Sequence, residues 1–460
     1  MPNFVDDNKI ALMTTKSKEY NLTYNTYADV LGESTLPLFN YGENEHADQL
    51  SMLSLFSGCG GMDLGFEGKF ICHRCSVAPN SPWIEEEINS NWVMLRKNRF
   101  NTIFANDILP EAMATWTNYM RRFDKDSTIY HLESIVDLVK AHKAGAKIFP
   151  ENVDVVTGGF PCQDFSVAGK RKGFNSDKGH DGKTWEEDIP SEETRGKLYY
   201  WMKQVIDITR PKIFIAENVK GLVSLGDVRD IIQRDFARAD GDGYIVLTPQ
   251  VLHAGNYGVP ETRERVIFIG IRKSALNPVA RENLEREIIP QEYNPYPAPT
   301  HNYNVNVEGL LPPVTCRDVF EGLKEPEESK DLSQRFYSKA KFMGKHCQGQ
   351  TEIRLDNLGP TIRSEHHGNI EFRRLSKENG GKNIEELDNN LPERRLTPRE
   401  CALIQTFPPD YPFVKYKGYT KRFHVNQSGA YKVIGNAVPP MLAYNIARRI
   451  QELWPIYFGE

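Results

Sequence analysis

The chain has 460 residues and a formal net charge of -5, and hydrophobic residues make up 39% of it. This length suits about two or three domains, and the acidic balance means that any nucleic-acid-binding face must be local. No apolar run approaches the ~18 residues of a membrane span, and the amino terminus lacks an apolar signal core. Seven scattered cysteines argue against a disulfide framework. We therefore expect a cytoplasmic protein with no membrane partner.

Strands and helices alternate from about residue 51 to residue 273. "SMLSLFSGCGGMDLGF" predicts a short strand, a glycine-rich turn and a helix start. Further strands are predicted at 100–108, 153–159, 212–219 and 264–271, and helices at "PEAMATWTNYMRRF" and "LYYWMKQVIDITR". Such wholly apolar strands separated by helices favour an α/β fold, a doubly wound and mostly parallel sheet covered on both faces. Two stretches, 68–99 and 175–195, have the character of insertions.

The composition changes after about residue 273, where prolines and a charged stretch replace the alternation. A second, smaller domain is predicted there. It includes "LTPRECALIQTF", a helix with Thr397 as N-cap, Pro398 at the first position and Glu400 three residues after the cap. A long amphipathic helix is predicted after Pro439 and Pro440. The expected divisions are an extension without an assigned role at 1–50, a first domain at 51–285, the second domain at 286–430 and a returning segment at 431–460.

The turn "LFSGCGGMDLG" places Gly58, Gly60 and Gly61 between a strand and a helix. Glycines there let backbone N–H groups approach a ligand at a helix amino terminus. A tight turn alone would explain the glycines equally well. Asp107 ends the next predicted strand, where its carboxylate would accept hydrogen bonds from both hydroxyls of a ribose. Together these features favour a nucleotide-like cofactor.

Reactive side chains follow several of the predicted strands. Cys162, in "GGFPCQDFS", comes at the carboxyl end of a central strand, the edge where open α/β sheets bind ligands. Glu217 ends the next strand, and Arg263 and Arg265 alternate at the entry of another. Polar residues at strand ends are common, and a structural cysteine is an ordinary alternative. The convergence of a thiol, a carboxyl and two guanidiniums nevertheless indicates an active site.

Six blocks of the sequence, in order and spacing, resemble the DNA cytosine-5 methyltransferases, especially those of bacterial restriction–modification systems. The blocks are "LFSGCGGMDLGFE", "GGFPCQDFS", "ENV", "YGVPETRERV", "LTPRECALIQTFP" and "YKVIGNAVPP". The resemblance spans about residues 51 to 450. It implies a Rossmann-like catalytic domain, a target-recognition domain within the second region, and a prokaryotic cytoplasmic enzyme.

The resemblance also implies roles for individual residues. Cys162 would attack cytosine C6, Glu217 would bond N3 and the exocyclic amine, and Arg265 would hold O2 with Arg263 in support. The cofactor would be S-adenosyl-L-methionine, held by Phe56, Gly58, Cys59, Gly61, Asp107, Ile108, Ser134, Ile135, Pro161, Leu198, Asn436 and Val438. Two positions depart from the family. Glu261 stands where a glutamine is usual, and Ser134, beside Glu133, falls where an acid near the adenine amino group is usual.

The expected partner is double-stranded DNA with a short specific site. Lys170, Arg171 and Lys172 would meet its phosphates. Residues 330–374 hold nine Lys or Arg and five Asp or Glu, a local excess that is also typical of an ordinary solvated surface. Arg363 and Arg373 are the candidate guanine readers, because a guanidinium bonds guanine O6 and N7 together. A cognate restriction endonuclease is a possible partner in the same system, and a monomer is expected.

Other functions are compatible with parts of the sequence. A tRNA cytosine-5 methyltransferase shares the fold, but its characteristic Cys-Phe-Thr segment is missing here. A catalytically silent DNA-binding scaffold would not need the thiol, the acid and the arginines, and a thiol hydrolase would need a histidine partner. Cys72, His73 and Cys75 in "FICHRC" supply three potential zinc ligands where a structural site needs four. Ordinary loop residues are therefore favoured there, and no metal is expected.

Overall fold

The structure is a computed structural model. It describes residues 29–31, 49–120, 127–151, 153–161, 198–224, 228–241, 243–347, 349–364, 370–418 and 420–459. Cys162, Lys170, Arg171 and Lys172 lie outside the described residues, as does the inserted stretch 175–195.

The strands of the described residues fall into a run before residue 273 and a few short pairs after it. They are β1 (Leu50–Leu55), β2 (Ile71–His73), β3 (Ile84–Glu87), β4 (Trp92–Leu95), β5 (Phe100–Asn106), β6 (Tyr130–His131), β7 (Val155–Gly159), β8 (Ile213–Val219), β9 (Tyr244–Val246), β10 (Gln250–His253), β11 (Glu264–Arg272), β12 (Phe372–Arg374), β13 (Arg394–Arg395), β14 (Lys415–Tyr416) and β15 (Phe423–Val425). The strands predicted at 100–108, 153–159, 212–219 and 264–271 are confirmed.

The α-helices of the described residues connect these strands and close the chain. They are α1 (Gly61–Glu67), α2 (Pro110–Met120), α3 (Ile135–Lys143), α4 (Leu198–Thr209), α5 (Val228–Ala237), α6 (Pro278–Leu284), α7 (Cys316–Phe320), α8 (Leu332–Arg335), α9 (Ile384–Asp388), α10 (Pro398–Ile404), α11 (Gln427–Asn436) and α12 (Pro440–Phe458). The predicted capping box at Thr397 and Glu400 is confirmed at the start of α10. Within the described ranges, no helix combines the length and apolar character that crossing a membrane requires.

The central sheet has eight strands in the order β10-β11-β8-β7-β1-β5-β6, with β9 also paired to β11. The pairs from β8 to β6 are parallel, and β11 runs antiparallel to β8. Successive residues of β1 enter different cores, since Met52 packs with α1, α2 and α12 and Leu53 packs with α3, α4 and α5. The predicted doubly wound, mostly parallel α/β fold is confirmed.

Helix α1, which follows the glycine turn, packs closely against the carboxyl-terminal helix α12. A Cβ added at Gly65 would lie 2.4 Å from the Cβ of Ala443 and 2.5 Å from the carbonyl oxygen of Pro440. Only a residue without a side chain allows this approach. Helix α12 therefore supports the helix that follows the glycine turn.

The insertion at 68–99 is an antiparallel three-stranded sheet in the order β2-β4-β3. Its Trp83 and Phe70 contact Tyr444 of α12, with ring centroids 5.6 and 5.7 Å away. His73 packs edge-on against Trp92, and Cys72 is buried. Within the described residues, no group of three or more His, Cys, Asp or Glu is placed to hold a metal. This segment is therefore a packed addition to the catalytic domain.

The region after residue 286 is built from short elements joined by buried ion pairs. Arg394 donates to Glu325 and Glu400, and Arg399 lies 2.6 Å from Asp331. A 3-10 turn of the amino-terminal extension, Asp29–Leu31, also packs here, because Ser329 Oγ donates to the Asp29 carboxylate. Charge pairing thus supplies much of the order that regular sheet or long helices would otherwise give.

Candidate active site

The carboxyl ends of β7 and β8 place the predicted acid beside the strand that leads to the predicted nucleophile. Gly159 pairs directly with Glu217 in parallel register, and Cys162 follows three residues later, outside the described residues. A Cβ added at Gly159 would lie 2.9 Å from Glu217 Oε2. The glycine therefore leaves room for the carboxylate against the strand that leads to the cysteine.

Asn218 fixes the path of the chain between this glycine and Pro161. Its Nδ2 donates to the carbonyl of Phe160 at 3.1 Å, and its Oδ1 accepts from the backbone N–H of Val219 at 2.9 Å. The side chain is 1% exposed. The sequence marked Asn218 as a strand-end residue but gave it no role. Its place next to Glu217 in the sequence was the signal that could have identified it. In the structure, Asn218 positions the chain at Phe160, just before Pro161.

Glu217 and Arg265 form a buried ion pair, with 2.7 Å between Glu217 Oε1 and Arg265 Nε. Burial raises the pKa of Glu217 above its ordinary value, and the charges of Arg265 and Arg263 oppose that rise without cancelling it. Arg265 Nη1 donates to the carbonyl of Glu264 at 2.8 Å, and Nη2 has no partner among the described residues. An acid with a raised pKa and an arginine with a free N–H thus lie side by side at the sheet edge.

The glycine turn and Asp107 also come together as predicted. The backbone N–H groups of Gly58 and Leu109 donate to the two Asp107 carboxylate oxygens, each at 3.0 Å. Burial raises the pKa of Asp107, and these N–H groups oppose the rise. A Cβ added at Gly58 would meet no atom within 4 Å, and the neighbouring Ile108 is 41% exposed. Open space therefore lies beside a carboxylate and an uncovered apolar side chain, which fits a ribose and an aromatic base.

The back of the turn is held by residues from the distant end of the chain. Cys59 Sγ lies 3.3 Å from the carbonyl of Val433 in α11, and burial raises the pKa of this thiol. A Cβ added at Gly61 would lie 2.2 Å from the carbonyl oxygen of Val438. Tyr411 donates to the Cys59 carbonyl. The Cys59 side chain therefore packs in the hydrophobic core, and only its backbone contributes to the glycine turn. The sequence gave no sign of Tyr411, since its partner is 352 residues away.

The remaining predicted cofactor residues have different local environments. Phe56 has a positive φ of 52° and packs against the core that contains Ile135 and Leu198. Ser134 caps α3 by accepting from the N–H of Val136 at 3.3 Å. Pro161 is half-buried and Asn436 is exposed.

Asn106, which the sequence missed, fixes the segment before α3. Its Nδ2 donates to the carbonyls of Glu133, at 2.6 Å, and His131, at 3.2 Å. The segment that contains Ser134 is therefore attached to the end of β5, one residue before Asp107.

The alternation in "ETRERV" predicts that Arg263 and Arg265 lie on the same side of the strand entry. The structure places the two side chains in different environments. Arg263 precedes β11 and is fully buried, donating to the carbonyls of Ile362 at 3.0 Å, Gly435 at 2.9 Å and Ala437 at 2.7 Å. Its charge still lowers the pKa of Glu217. Arg263 is thus placed as a positioning residue that ties together three segments of the chain.

Glu261, which departs from the usual glutamine, lies beside Arg263. Its Oε1 accepts from the N–H of Ile362 at 2.7 Å, and its Oε2 has no hydrogen-bond partner among the described residues. Burial raises the pKa of this carboxyl, and Arg263 opposes the rise. The acid therefore keeps one contact that a glutamine carbonyl would also make.

Comparison with known proteins identifies the family. A model of the C-5 cytosine-specific DNA methylase family matches residues 50–452. The chain belongs to this family. Type II methyltransferase M.BsuRI of Bacillus subtilis is 31% identical over 90% of this chain and 81% of its own length. M.BspRI of Lysinibacillus sphaericus is 30% identical over 95% and 89%. The solved structure of S. pombe Dnmt2 methyltransferase covers 88% of this chain and 99% of its own, at 16% identity and a TM-score of 0.49.

The two candidate guanine readers of this DNA cytosine-5 methyltransferase lie in different environments. Arg373 is bound by Glu386 at 2.5 Å and Glu400 at 3.3 Å and is 12% exposed, so we withdraw it as a reader of DNA. Arg363 has a buried Nη1 without a partner among the described residues, and its backbone crosses Gly435 of α11. Of the two candidates, only Arg373 is bound by carboxylates among the described residues, so Arg363 stays a predicted reader.

The ion pairs around Glu400 predict a specific dependence of stability on pH. Burial would raise the pKa of Glu400, but Arg394, Arg373 and the N–H of Thr397 together lower it to about 2. Because an unfolded glutamate has a pKa of about 4.3, this stabilisation is complete above that pH and is lost as pH falls toward the folded value.

We expect Glu400→Gln to lower the free energy of unfolding at pH 7 by about 3–5 kcal/mol, because Arg394 and Arg373 each lose a buried carboxylate partner and keep only Glu325 and Glu386. The difference from the wild type should shrink between about pH 4 and pH 2. Urea unfolding at several pH values measures both effects. Asp388→Asn, which removes an exposed pair with Lys377, is the control and should change stability by less than about 1 kcal/mol. Equal losses in the two variants would contradict the assignment.

Proposed function

We propose that this enzyme transfers a methyl group from S-adenosyl-L-methionine to C5 of a flipped-out cytosine at a specific site in duplex DNA, through a covalent adduct with Cys162. The observation that carries the proposal is the pairing of Gly159 with Glu217, which brings a raised-pKa acid to the strand that leads into Cys162. The Type II methyltransferase names of its relatives support a role as the modification enzyme of a restriction–modification system. A cognate endonuclease is part of that proposal, as is a monomeric enzyme.

The glycine turn is proposed to hold S-adenosyl-L-methionine, which supplies an electrophilic methyl group. Asp107 would accept from the ribose hydroxyls, and Ile108 would cover the adenine. The backbone at Gly58 and Gly61 would approach the rest of the molecule, and Pro161, Leu198, Asn436 and Val438 would complete the pocket. The open space at Gly58 and the exposed Ile108 side chain support this fit.

The chemistry explains why these residue types are needed. The Cys162 thiolate adds to C6 while Glu217 gives a proton or a hydrogen bond to N3, and the electron pair moves to C5. C5 then takes the methyl group. A base, for which water suffices, removes the C5 proton, and the electron pair returns to expel the thiolate. Arg265 would hold O2 with an N–H of its guanidinium, and it keeps Glu217 in place through their ion pair. Asn218 and Arg263 position these groups.

The target base must leave the duplex before any of these steps. Flipping costs a few kcal/mol of lost stacking and pairing. Lys170, Arg171 and Lys172 follow the cysteine in a segment with glycines at 169 and 173, which suits a loop that closes over the phosphates. This part of the proposal depends on the sequence, because the segment lies outside the described residues.

A covalent trap tests the mechanism. In duplex DNA with 5-fluorocytosine at the target, fluorine cannot leave as a proton, so the enzyme should methylate once and stay bound through Cys162. The adduct should require S-adenosyl-L-methionine, survive denaturation, and map by mass to the peptide that contains Cys162. Cys162→Ala should bind the cofactor but form no adduct, and Glu217→Gln should form it more slowly.

Cys347→Ala changes an incompletely buried thiol in a different part of the chain and serves as the control. An adduct on a different cysteine would refute the site. Methylation of tRNA in place of duplex DNA by the wild type would refute the substrate.

The close contact at Gly159 gives a second prediction. In Gly159→Ala the added Cβ must displace the Glu217 carboxylate, 2.9 Å away, whereas the glycine turn is untouched. We expect kcat for methylation to fall by about 10- to 1000-fold, as for loss of one catalytic interaction. Affinity for S-adenosyl-L-methionine, measured by calorimetry, should stay within about twofold of wild type. Unchanged kcat in a folded variant would show that the Glu217 position does not control the reaction.

Arg363 and Arg373 form a matched pair for testing recognition. If Arg363 bonds a guanine, Arg363→Gln should reduce discrimination at one base pair by about 1–3 kcal/mol, or roughly 5- to 150-fold. Arg373→Gln should lower the unfolding temperature but leave the preferred site unchanged, because Arg373 is bound by Glu386 and Glu400. Methylation of a randomised duplex library, followed by sequencing of the methylated sites, measures both. Relaxed specificity from Arg373→Gln alone would reverse the assignment.

A further inference from the structure

The hairpin formed by β14 and β15 has a charge balance unlike that of the rest of the protein. Over the whole chain Asp and Glu outnumber Lys and Arg, 62 to 57. Residues 411–447 contain five Lys or Arg and no Asp or Glu, and four of these cations fall within residues 415–422. We call residues 415–418 and 420–424 the basic hairpin.

The basic hairpin is held in a defined shape. The N–H of Lys417 donates to the carbonyl of Arg422 at 2.7 Å, and the N–H of Thr420 donates to the carbonyl of Lys417 at 3.2 Å. The rings of Tyr416 and Phe423 stack at 4.9 Å, and Phe336 packs edge-on against Phe423 at 5.0 Å. The backbone and the aromatic side chains are therefore ordered without help from the charged groups.

Three cations of the hairpin form no ion pair within the described residues. Lys417, Lys421 and Arg422 are exposed and form no ion pair with any described residue. Lys415 Nζ donates at 2.6 Å to Asn118 Oδ1, a neutral group. The pKa of His424 is lowered, first by burial and then by the charges of Lys415 and Lys417. Fixing several like charges on a rigid hairpin is unfavourable for the isolated protein, and an anionic partner would relieve it.

The hairpin lies between the two halves of the site. Its Lys415 contacts α2, the helix that follows Asp107 and Ile108, and its aromatic rings contact Phe336 of the region after residue 286. Arg335, the neighbour of Phe336, is also exposed. The positive charge is thus placed where the cofactor side of the catalytic domain meets the region proposed to recognise DNA.

We propose that the basic hairpin binds the phosphates of the DNA duplex that flanks the methylated site. The inference rests on the proposed function for its partner, and it adds a binding surface outside the cysteine loop and outside the candidate base reader. Lysine and arginine side chains on a fixed backbone suit a phosphate chain, because binding releases the counterions condensed on DNA. Such contacts carry no sequence information. The hairpin therefore contributes affinity and orientation, while discrimination between sites stays elsewhere.

A charge-matched pair of variants tests the proposal. Lys417→Gln/Lys421→Gln/Arg422→Gln removes three positive charges from the hairpin. Arg234→Gln/Arg238→Gln/Lys273→Gln removes three from other parts of the surface: one in α5, one just after α5 and one just after β11. Dissociation constants of both variants are measured over a range of salt concentrations on two duplexes. The short duplex spans about one helical turn around the target, and the long duplex is extended by about two turns on each side.

On the long duplex the hairpin variant should lose about 1.8 to 2.7 from the slope of log K against log salt, at about 0.9 per phosphate contact. The control should match the wild type. On the short duplex the hairpin variant should also match the wild type. The preferred site and the yield of trapped adduct at saturating DNA should be unchanged. The exchange Lys417→Arg/Lys421→Arg/Arg422→Lys, which keeps the charge, should restore the slope.

Each alternative outcome has a separate meaning. Wild-type slopes in the hairpin variant, or an equal loss in the control, would overturn the proposal. An equal loss on both duplexes would place the contact at the target and overturn the flanking assignment. Stronger competition by tRNA than by duplex at equal phosphate would identify RNA as the partner and also overturn it. A wild-type enzyme that neither binds duplex DNA nor methylates it would instead refute the proposed function.

Discussion

The buried guanidinium of Arg263 is the contact on which the relation between the two halves of the molecule depends. It is fully buried and donates to the carbonyls of Ile362, Gly435 and Ala437. One side chain therefore joins the start of β11, the segment at Ile362 and the end of α11. A buried charge is costly unless its hydrogen bonds are made, which means that these three segments are held in one arrangement. Because Val438 follows Ala437 and its carbonyl oxygen lies against Gly61, the same side chain also supports the edge of the glycine turn.

The active-site edge follows from sheet order. Parallel pairing of β7 with β8 places Gly159 beside Glu217. The register of this pairing determines which residues meet at the strand ends. Asn218 then holds the chain that leads to Pro161, and Arg265 on the antiparallel β11 reaches the same carboxylate. The geometry of the candidate site is thus a property of three adjacent strands.

The sequence predicted those parts of the molecule that depend on local pattern. Apolar runs located the strands, the Thr397–Glu400 spacing located a capped helix, and strand-end polar residues located Glu217, Arg265 and Asp107. It failed where the decisive partner is distant in the chain. Arg373 has the composition of a DNA reader, yet Glu386 and Glu400 bind it in a buried network. No sequence periodicity predicts such ion pairing. The small sheet at 68–99 likewise depends on packing against the distant helix α12.

Two buried glutamates show how the protein uses one residue type for opposite purposes. Glu400 meets Arg394, Arg373 and the N–H of Thr397, which together outweigh burial and lower its pKa to about 2. Glu217 meets Arg265 directly and Arg263 only at longer range, and burial prevails, so its pKa is raised. The number of donors around each carboxylate decides the sign. A permanently charged glutamate suits a structural network, whereas a buried glutamate with a raised pKa and one direct arginine partner suits the proposed transfer of a proton or hydrogen bond to the base. The number of donors that contact each carboxylate therefore distinguishes the glutamate that suits the structural network from the glutamate that suits the proposed reaction.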